Sequence, residues 1–174
     1  MATFLFKILP GKEELLQTIS TSYPEADPLS LYTHMWLRLL GTTLEDTVET
    51  FLRRLDMSSG RFLLLMFLEL RPQGMKPSEI ATNLSVTQAT VTGLIDGLEQ
   101  TGFVQRREHL KDRRACVVTL TDKGQAFILE NRPHFTKRLS EMYSPLATEE
   151  RQQFINLAEK LFKTLRPDAS PASN

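Results

Sequence analysis

Between Pro77 and Thr121 the chain carries three local signals in a fixed order, and few backbone arrangements satisfy all of them at once. After Pro77, Ser78 is placed to cap a short helix over residues 79–84. Thr87 is placed to cap a second helix that reaches Gln100 before Gly102 ends it. Two short helices joined by a three-residue turn are the signal of a helix-turn-helix. Residues 103–108 and 115–120 are β-rich and separated by a polar turn, which reads as a hairpin. Thr121 followed by Asp122 then looks like the cap of another helix, reaching about Met142.

The flanks are helical too. Residues 29–55 place Leu44, Val48, Phe51, Leu52 and Leu55 at helical spacing, and Ser59 is expected to cap a very apolar helix over residues 61–70 at the centre of the domain. A last helix starts at Thr148 with Glu149 and Glu150 in its first turn, where the helix dipole favours acids. Its Phe154, Leu157, Ala158, Leu161 and Leu165 form one stripe, which either pairs with a second copy or packs inside the monomer. Before all this, a short helix around residues 13–19 belongs to an N-terminal extension, residues 1–28. Pro, Ser, Ala and Asn in residues 167–174 read as a flexible tail.

Composition narrows the function classes. With 174 residues, 41% hydrophobic and 24% charged, one water-soluble unit with a real core is expected. No stretch is long enough to span a membrane, and Phe4-Leu5-Phe6 lacks the flanks of a leader, so a cytoplasmic, unprocessed protein is expected. The lone Cys116 excludes an internal disulfide framework and any multi-thiolate metal site. No phosphate-cradling glycine loop, nucleophile elbow or His/carboxylate cluster points to catalysis, a cofactor or a metal. Net charge is zero, against bulk coating of nucleic acid. Charge is nevertheless concentrated, because residues 103–114 hold Arg106, Arg107, Lys111, Arg113 and Arg114 against Glu108 and Asp112.

On the helix from Thr87 to Gln100, Val91, Leu94, Ile95 and Leu98 share one face and Ala89, Thr92, Gly93 and Asp96 the other. A face of small, mostly uncharged residues can enter a major groove about 12 Å wide, where Gln88 can pair bidentately with adenine, and Ala89 and the methyls of Thr90 or Thr92 can meet thymine methyls. Gly93 and Gly97 each cost roughly 1 kcal/mol of helix propensity, so something must compensate them. Close approach to DNA is one candidate at Gly93. The hairpin tip, residues 109–114, offers cations to phosphates or an arginine to the minor groove, with Asp112 orienting a neighbour. Its alternative is a solvated loop.

At this point the chain resembles the MarR-type winged-helix regulators. The resemblance runs through Ser78-Glu79-Ile80-Ala81, residues 85–92 (SVTQATVT), residues 94–99 (LIDGLE), Gly102-Phe103-Val104, Asp112-Arg113-Arg114 and residues 118–124 (VTLTDKG), in the family's order. It implies a mostly α fold with a small β-hairpin wing: a winged helix-turn-helix over residues 59–121, and N- and C-terminal dimerisation helices over 29–58 and 122–166. It further implies a homodimeric regulator of transcription, a repressor more often than an activator, that binds an inverted-repeat operator in double-stranded DNA. Site residues expected on this basis are Ser85, Thr87, Gln88, Ala89, Thr90, Thr92 and Gly93 on the reading helix, and Arg106, Arg107, Lys111, Asp112, Arg113 and Arg114 on the wing. Many members carry a basic residue where this chain has Gly93, which shifts weight onto Arg106, Arg107 and the wing.

In the family the cleft between dimer region and reading head often takes aromatic acids. His34, Trp36, Arg38 and Arg61 are the residues here that would suit a small aromatic or phenolic effector, or else a packed Trp with surface cations. Cys116 shares a strand face with Val118 and Leu120 and is expected to be an inert buried thiol. A redox-responsive regulator using Cys116 is the alternative, although redox-sensing relatives carry their cysteine near the start of the first helix. His109 reads as a wing residue and His134 as a helix-surface one. From another class stands a winged-helix module that binds protein and never touches bases.

Overall fold

The computed structural model describes residues 9–109 and 112–167, with side chains for all of these except 108, 109 and 112–115. Seven helices and one hairpin follow in the order α1 (Lys12–Ser22), α2 (Pro28–Leu52), α3 (Ser59–Glu69), α4 (Pro77–Leu84), α5 (Gln88–Gln100), β1 (Val104–His109), β2 (Asp112–Leu120), α6 (Asp122–Met142) and α7 (Thr148–Leu165). A single 3-10 turn, Arg53–Leu55, lies between α2 and α3. The expected mostly α fold with a two-stranded wing is what forms.

Local chemistry sets the boundaries. Asp27 caps α2, accepting from the Leu29 amide at 3.0 Å ahead of Pro28, whose fixed φ suits the first helical position. Thr87 caps α5, accepting from the Thr90 amide at 3.2 Å. Thr121 caps α6, accepting from the Gly124 amide at 3.1 Å. Two expected caps move by a residue or two. Ser58, not Ser59, accepts from the Arg61 amide at the start of α3, and α4 begins at Pro77 behind Lys76, with Ser78 inside it. At Lys76 the Glu79 carboxylate does the capping, accepting from its amide at 2.8 Å. Displaced from the cap, Ser59 donates its amide (2.9 Å) and hydroxyl (2.6 Å) to Glu49 on α2, which fastens α3 to the long helix.

The core centres on α3, as its apolar run predicts. Phe62, Leu64 and Leu65 are fully buried against Ile80 of α4, Val91, Ile95 and Leu98 of α5, Val104 and Val118 of the hairpin, and Ile128 and Phe135 of α6. The Phe62 and Phe135 rings lie 4.9 Å apart. An isolated antiparallel bridge from Met75 to Val118 pins the segment before α4 to β2. In contrast, α1 and α7 contain no buried residue. The reading in which the α7 stripe packs inside the monomer is therefore overturned: Leu157 is 67% and Leu165 71% exposed.

Candidate nucleic-acid interface

Helix α5 presents the two faces that its periodicity predicts. Val91, Ile95 and Leu98 are buried, while Ser85, Thr87, Gln88, Ala89, Thr90, Thr92 and Gly93 are all exposed, so the expected reading residues lie on one accessible surface. Its hydroxyls are satisfied internally. Thr92 donates to the Gln88 carbonyl at 3.0 Å, and the Thr87 and Thr90 hydroxyls bond each other at 2.9 Å. The Thr90 and Thr92 oxygens are thus engaged, whereas the Gln88 amide makes no hydrogen bond among the described residues. Ahead of α5, Ser85 sits at φ 54°, a left-handed conformation that is uncommon for a side chain other than Gly and turns the chain sharply between α4 and α5.

The two glycines of α5 differ. A Cβ on Gly93 would meet open space, which leaves this backbone approachable from outside. Gly97 is instead filled from within, because the Arg61 guanidinium lies against it, with Cζ 2.9 Å and Nε 3.1 Å from where a Cβ would stand.

In the wing, β1 and β2 pair antiparallel from Val104↔Leu120 through Arg106↔Val118 to Glu108↔Cys116. The register then shifts before His109↔Asp112. The base of the hairpin is locked to the body. The Thr121 hydroxyl donates to the Gly102 carbonyl at 2.6 Å, and Lys123 donates to the Thr101 carbonyl at 2.7 Å while its ammonium sits 4.8 Å from the Phe103 ring centroid. Arg106 is placed differently from expectation. Its guanidinium binds Asp96 at 2.5 Å and also Glu99, both on α5, and its amide donates to Glu99 at 3.2 Å. The hydrogen bond to Asp96 is the first cause that pushes the Arg106 pKa above the ordinary arginine range, so this cation is held against α5. Arg107 is exposed. Lys111 and the side chains of His109, Asp112, Arg113 and Arg114 lie outside the described residues.

Cys116 departs from its expected burial. Val118, two residues on, is fully buried, yet Cys116 is exposed. Burial does not alternate here, because the neighbouring Val117 is buried as well as Val118.

The four residues suggested for an effector are not gathered. Arg61 is taken up by Gly97. Trp36 is 49% exposed with its ring edge-on to Tyr32, 6.4 Å between centroids. His34 and Arg38 are exposed on α2. Among the described residues, clefts lie elsewhere. One of about 620 Å³, between α2 and α6, is lined by Thr47, Phe51, Arg54, Arg138 and Glu141 among others. An apolar one of about 420 Å³ runs between Leu40 and Leu44 of α2, Met142 to Leu146, and Phe154 and Ile155 of α7. A third, about 470 Å³, joins Ser78, Thr82, Ser85 and Gln88 to Arg166 at the end of α7. Sequence reasoning missed these neighbours of the site. Asp96 and Glu99, two acids on an otherwise uncharged helix, were the available signal for the Arg106 clamp. Nothing local signals the arrival of Arg166.

Comparison with known proteins agrees with this geometry. The sequence pattern of the MarR family matches residues 57–116. Over 160 residues, 91% of this chain and 95% of the relative, the chain is 31% identical to the HTH-type transcriptional repressor YetL of Bacillus subtilis. Over 136 residues, 78% of this chain and 77% of the relative, it is 29% identical to the transcriptional repressor MprA of Escherichia coli. The fold is shared with Staphylococcus aureus MepR in its complex with DNA, at a TM-score of 0.69 and 22% identity over 76% of this chain and 95% of MepR. Such relatives regulate transcription and are not enzymes, and no helix among the described residues is long and apolar enough to cross a membrane. The chain belongs to the MarR family of winged helix-turn-helix transcriptional regulators.

Proposed function

We propose that this regulator, a repressor more often than an activator, acts as a homodimer that binds an inverted repeat in double-stranded DNA. The surface from Gln88 to Gly93 enters the major groove of each half-site, and Arg107, Lys111, Arg113 and Arg114 of the wing meet the phosphates alongside. One observation carries this reading. The exposed surface from Gln88 to Gly93 is uncharged, its threonine hydroxyls are consumed internally and its glutamine amide makes no hydrogen bond among the described residues, which is the donor, acceptor and methyl pattern that base edges complement. Arg106 acts from behind, fixing the angle between wing and reading helix through Asp96 and Glu99.

Dimerisation is assigned to residues 29–58 and 122–166. The support is the concentration of exposed apolar side chains on α2 and α7, among them Leu37, Leu40, Phe154, Leu157 and Leu161, beyond what scattered surface hydrophobics amount to. A two-fold pair sets two reading helices about one turn of DNA, roughly 34 Å, apart. A small aromatic or phenolic acid that enters the cleft between α2 and α6, where Arg54 and Arg138 flank Phe51, then biases the spacing of the two heads.

Salt dependence of affinity tests the reading. Binding to promoter duplexes weakens steeply as salt rises, and replacing Arg113 and Arg114 together with alanine flattens the slope. Failure of both proteins to retard any promoter fragment, with a salt-insensitive protein partner captured instead, contradicts it.

A further inference from the structure

The end of α7 comes to the reading head. Arg166, the residue that closes α7, lines one cleft with Ser78 and Thr82 of α4, Ser85 of the turn, and Gln88 at the start of α5. No carboxylate lines that cleft, and Arg166 makes no ion pair among the described residues. Around it stand the hydroxyls of Ser78, Thr82 and Ser85, the Gln88 amide and the apolar Ala81 and Val86, so no charge in that cleft neutralises the guanidinium.

We propose that Arg166 is a DNA phosphate contact, so that the C-terminal end of the dimerisation region takes part in gripping the duplex. This rests on the reading above that α5 lies in the major groove. A helix with its side chains is about 10–12 Å across and the groove about 12 Å wide, so α5 fills it. A cation beside the first turn of α5 then faces the phosphate strand bordering the groove. It adds affinity without sequence information and supplies, from outside the head, positive charge that α5, which has no Lys or Arg, does not carry.

The test uses the full chain and a fluorescent duplex selected from genomic fragments by the wild-type protein, with a scrambled duplex of equal length beside it. Anisotropy titrations across salt are run for the wild type, Arg166→Ala, Arg166→Lys and Lys163→Ala, the last replacing a neighbouring cation that does not line the cleft. Expected for Arg166→Ala is a several-fold loss of affinity at low salt, and a log–log salt slope shallower by about one for each subunit bound, equally on both duplexes. Arg166→Lys keeps the slope and Lys163→Ala leaves it unchanged. An unchanged slope in Arg166→Ala, with or without a lowered melting temperature, overturns the proposal and leaves Arg166 a structural residue. Absence of salt-dependent binding in the wild type refutes the DNA-reading assignment itself, and this proposal with it.

Discussion

The guanidinium of Arg61 lies across the backbone of Gly97, with Cζ 2.9 Å from where a Cβ on that glycine would stand, so the Arg61 side chain fills the space that the missing side chain of α5 leaves open. Gly60, one residue earlier, makes the matching approach, with Leu94 3.3 Å from its own missing Cβ. The two glycines thus let one side chain from each helix, Arg61 of α3 and Leu94 of α5, lie against the backbone of the other. These contacts tie the second half of α5 to the first turn of α3.

Substituting the glycines separates packing from reading. Gly93→Ala adds a methyl in open space and gains roughly 1 kcal/mol of helix propensity, yet it places that methyl on the surface assigned to the groove. Urea denaturation shows a more stable protein, and anisotropy shows weaker DNA binding. Gly97→Ala gains the same propensity but must push Arg61 aside, and its stability stays within about 0.5 kcal/mol of wild type. Gly124→Ala drives a Cβ into the Phe103 carbonyl, where backbone has to move, and costs about 2 kcal/mol or more.

Arg106 distinguishes a clamp from a phosphate contact. Arg106→Met leaves Asp96 and Glu99 uncompensated beside the wing. These pairs are partly solvated, so the stability loss is about 1 kcal/mol or less. DNA affinity falls further, because the wing loses its angle and two carboxylates now face the duplex. The salt slope stays as in wild type. A slope shallower by about one per subunit instead makes Arg106 a direct phosphate ligand.

The Glu49–Ser59 contact makes the junction of α2 and α3 sensitive to acid. Hydrogen bonds from the Ser59 hydroxyl and then its amide hold the Glu49 carboxyl below its ordinary value of 4.5. A carboxyl depressed in the folded state contributes stability that is complete above its unfolded pKa and lost as pH falls through the lower folded pKa. Glu49→Gln therefore destabilises the protein by about 1 kcal/mol at neutral pH. The difference from wild type shrinks below pH ~4.5 and vanishes once the wild-type carboxyl is protonated. A gap that is constant across that range contradicts the assignment.

Much of the head was readable in the sequence because its determinants are local. The Thr87 and Thr121 caps, the stop at Gly102 and the buried triad Val91, Ile95 and Leu98 all follow from spacing within one element. What was not legible depends on distance. Arg106 finds its carboxylates seven and ten residues upstream on α5, and Arg166 lines a cleft with Gln88, nearly half the chain away. Cys116 shows a third limit: alternation predicts its burial with Val118, but Val117 and Val118 are both buried and Cys116 is exposed.

The exposed stripe on α7 makes oligomeric state a sharp readout. Leu157→Glu together with Leu161→Glu places charges on a face with no buried residue in the single chain, so the helical signal and the folded head survive. Sedimentation shows a monomer, and binding to an inverted repeat drops to the level of a single half-site. A variant that remains dimeric moves the interface elsewhere.

The groove assignment of α5 is tested most directly by selecting binding sites from a random duplex pool with wild-type protein and with Gln88→Ala. Wild type should recover an inverted repeat with half-site centres about 10–10.5 base pairs apart, and Gln88→Ala should recover the same repeat with one adenine position per half-site relaxed, at a cost of about 1–3 kcal/mol there. Enrichment of no sequence by the wild type, or an identical preference in both proteins, contradicts it.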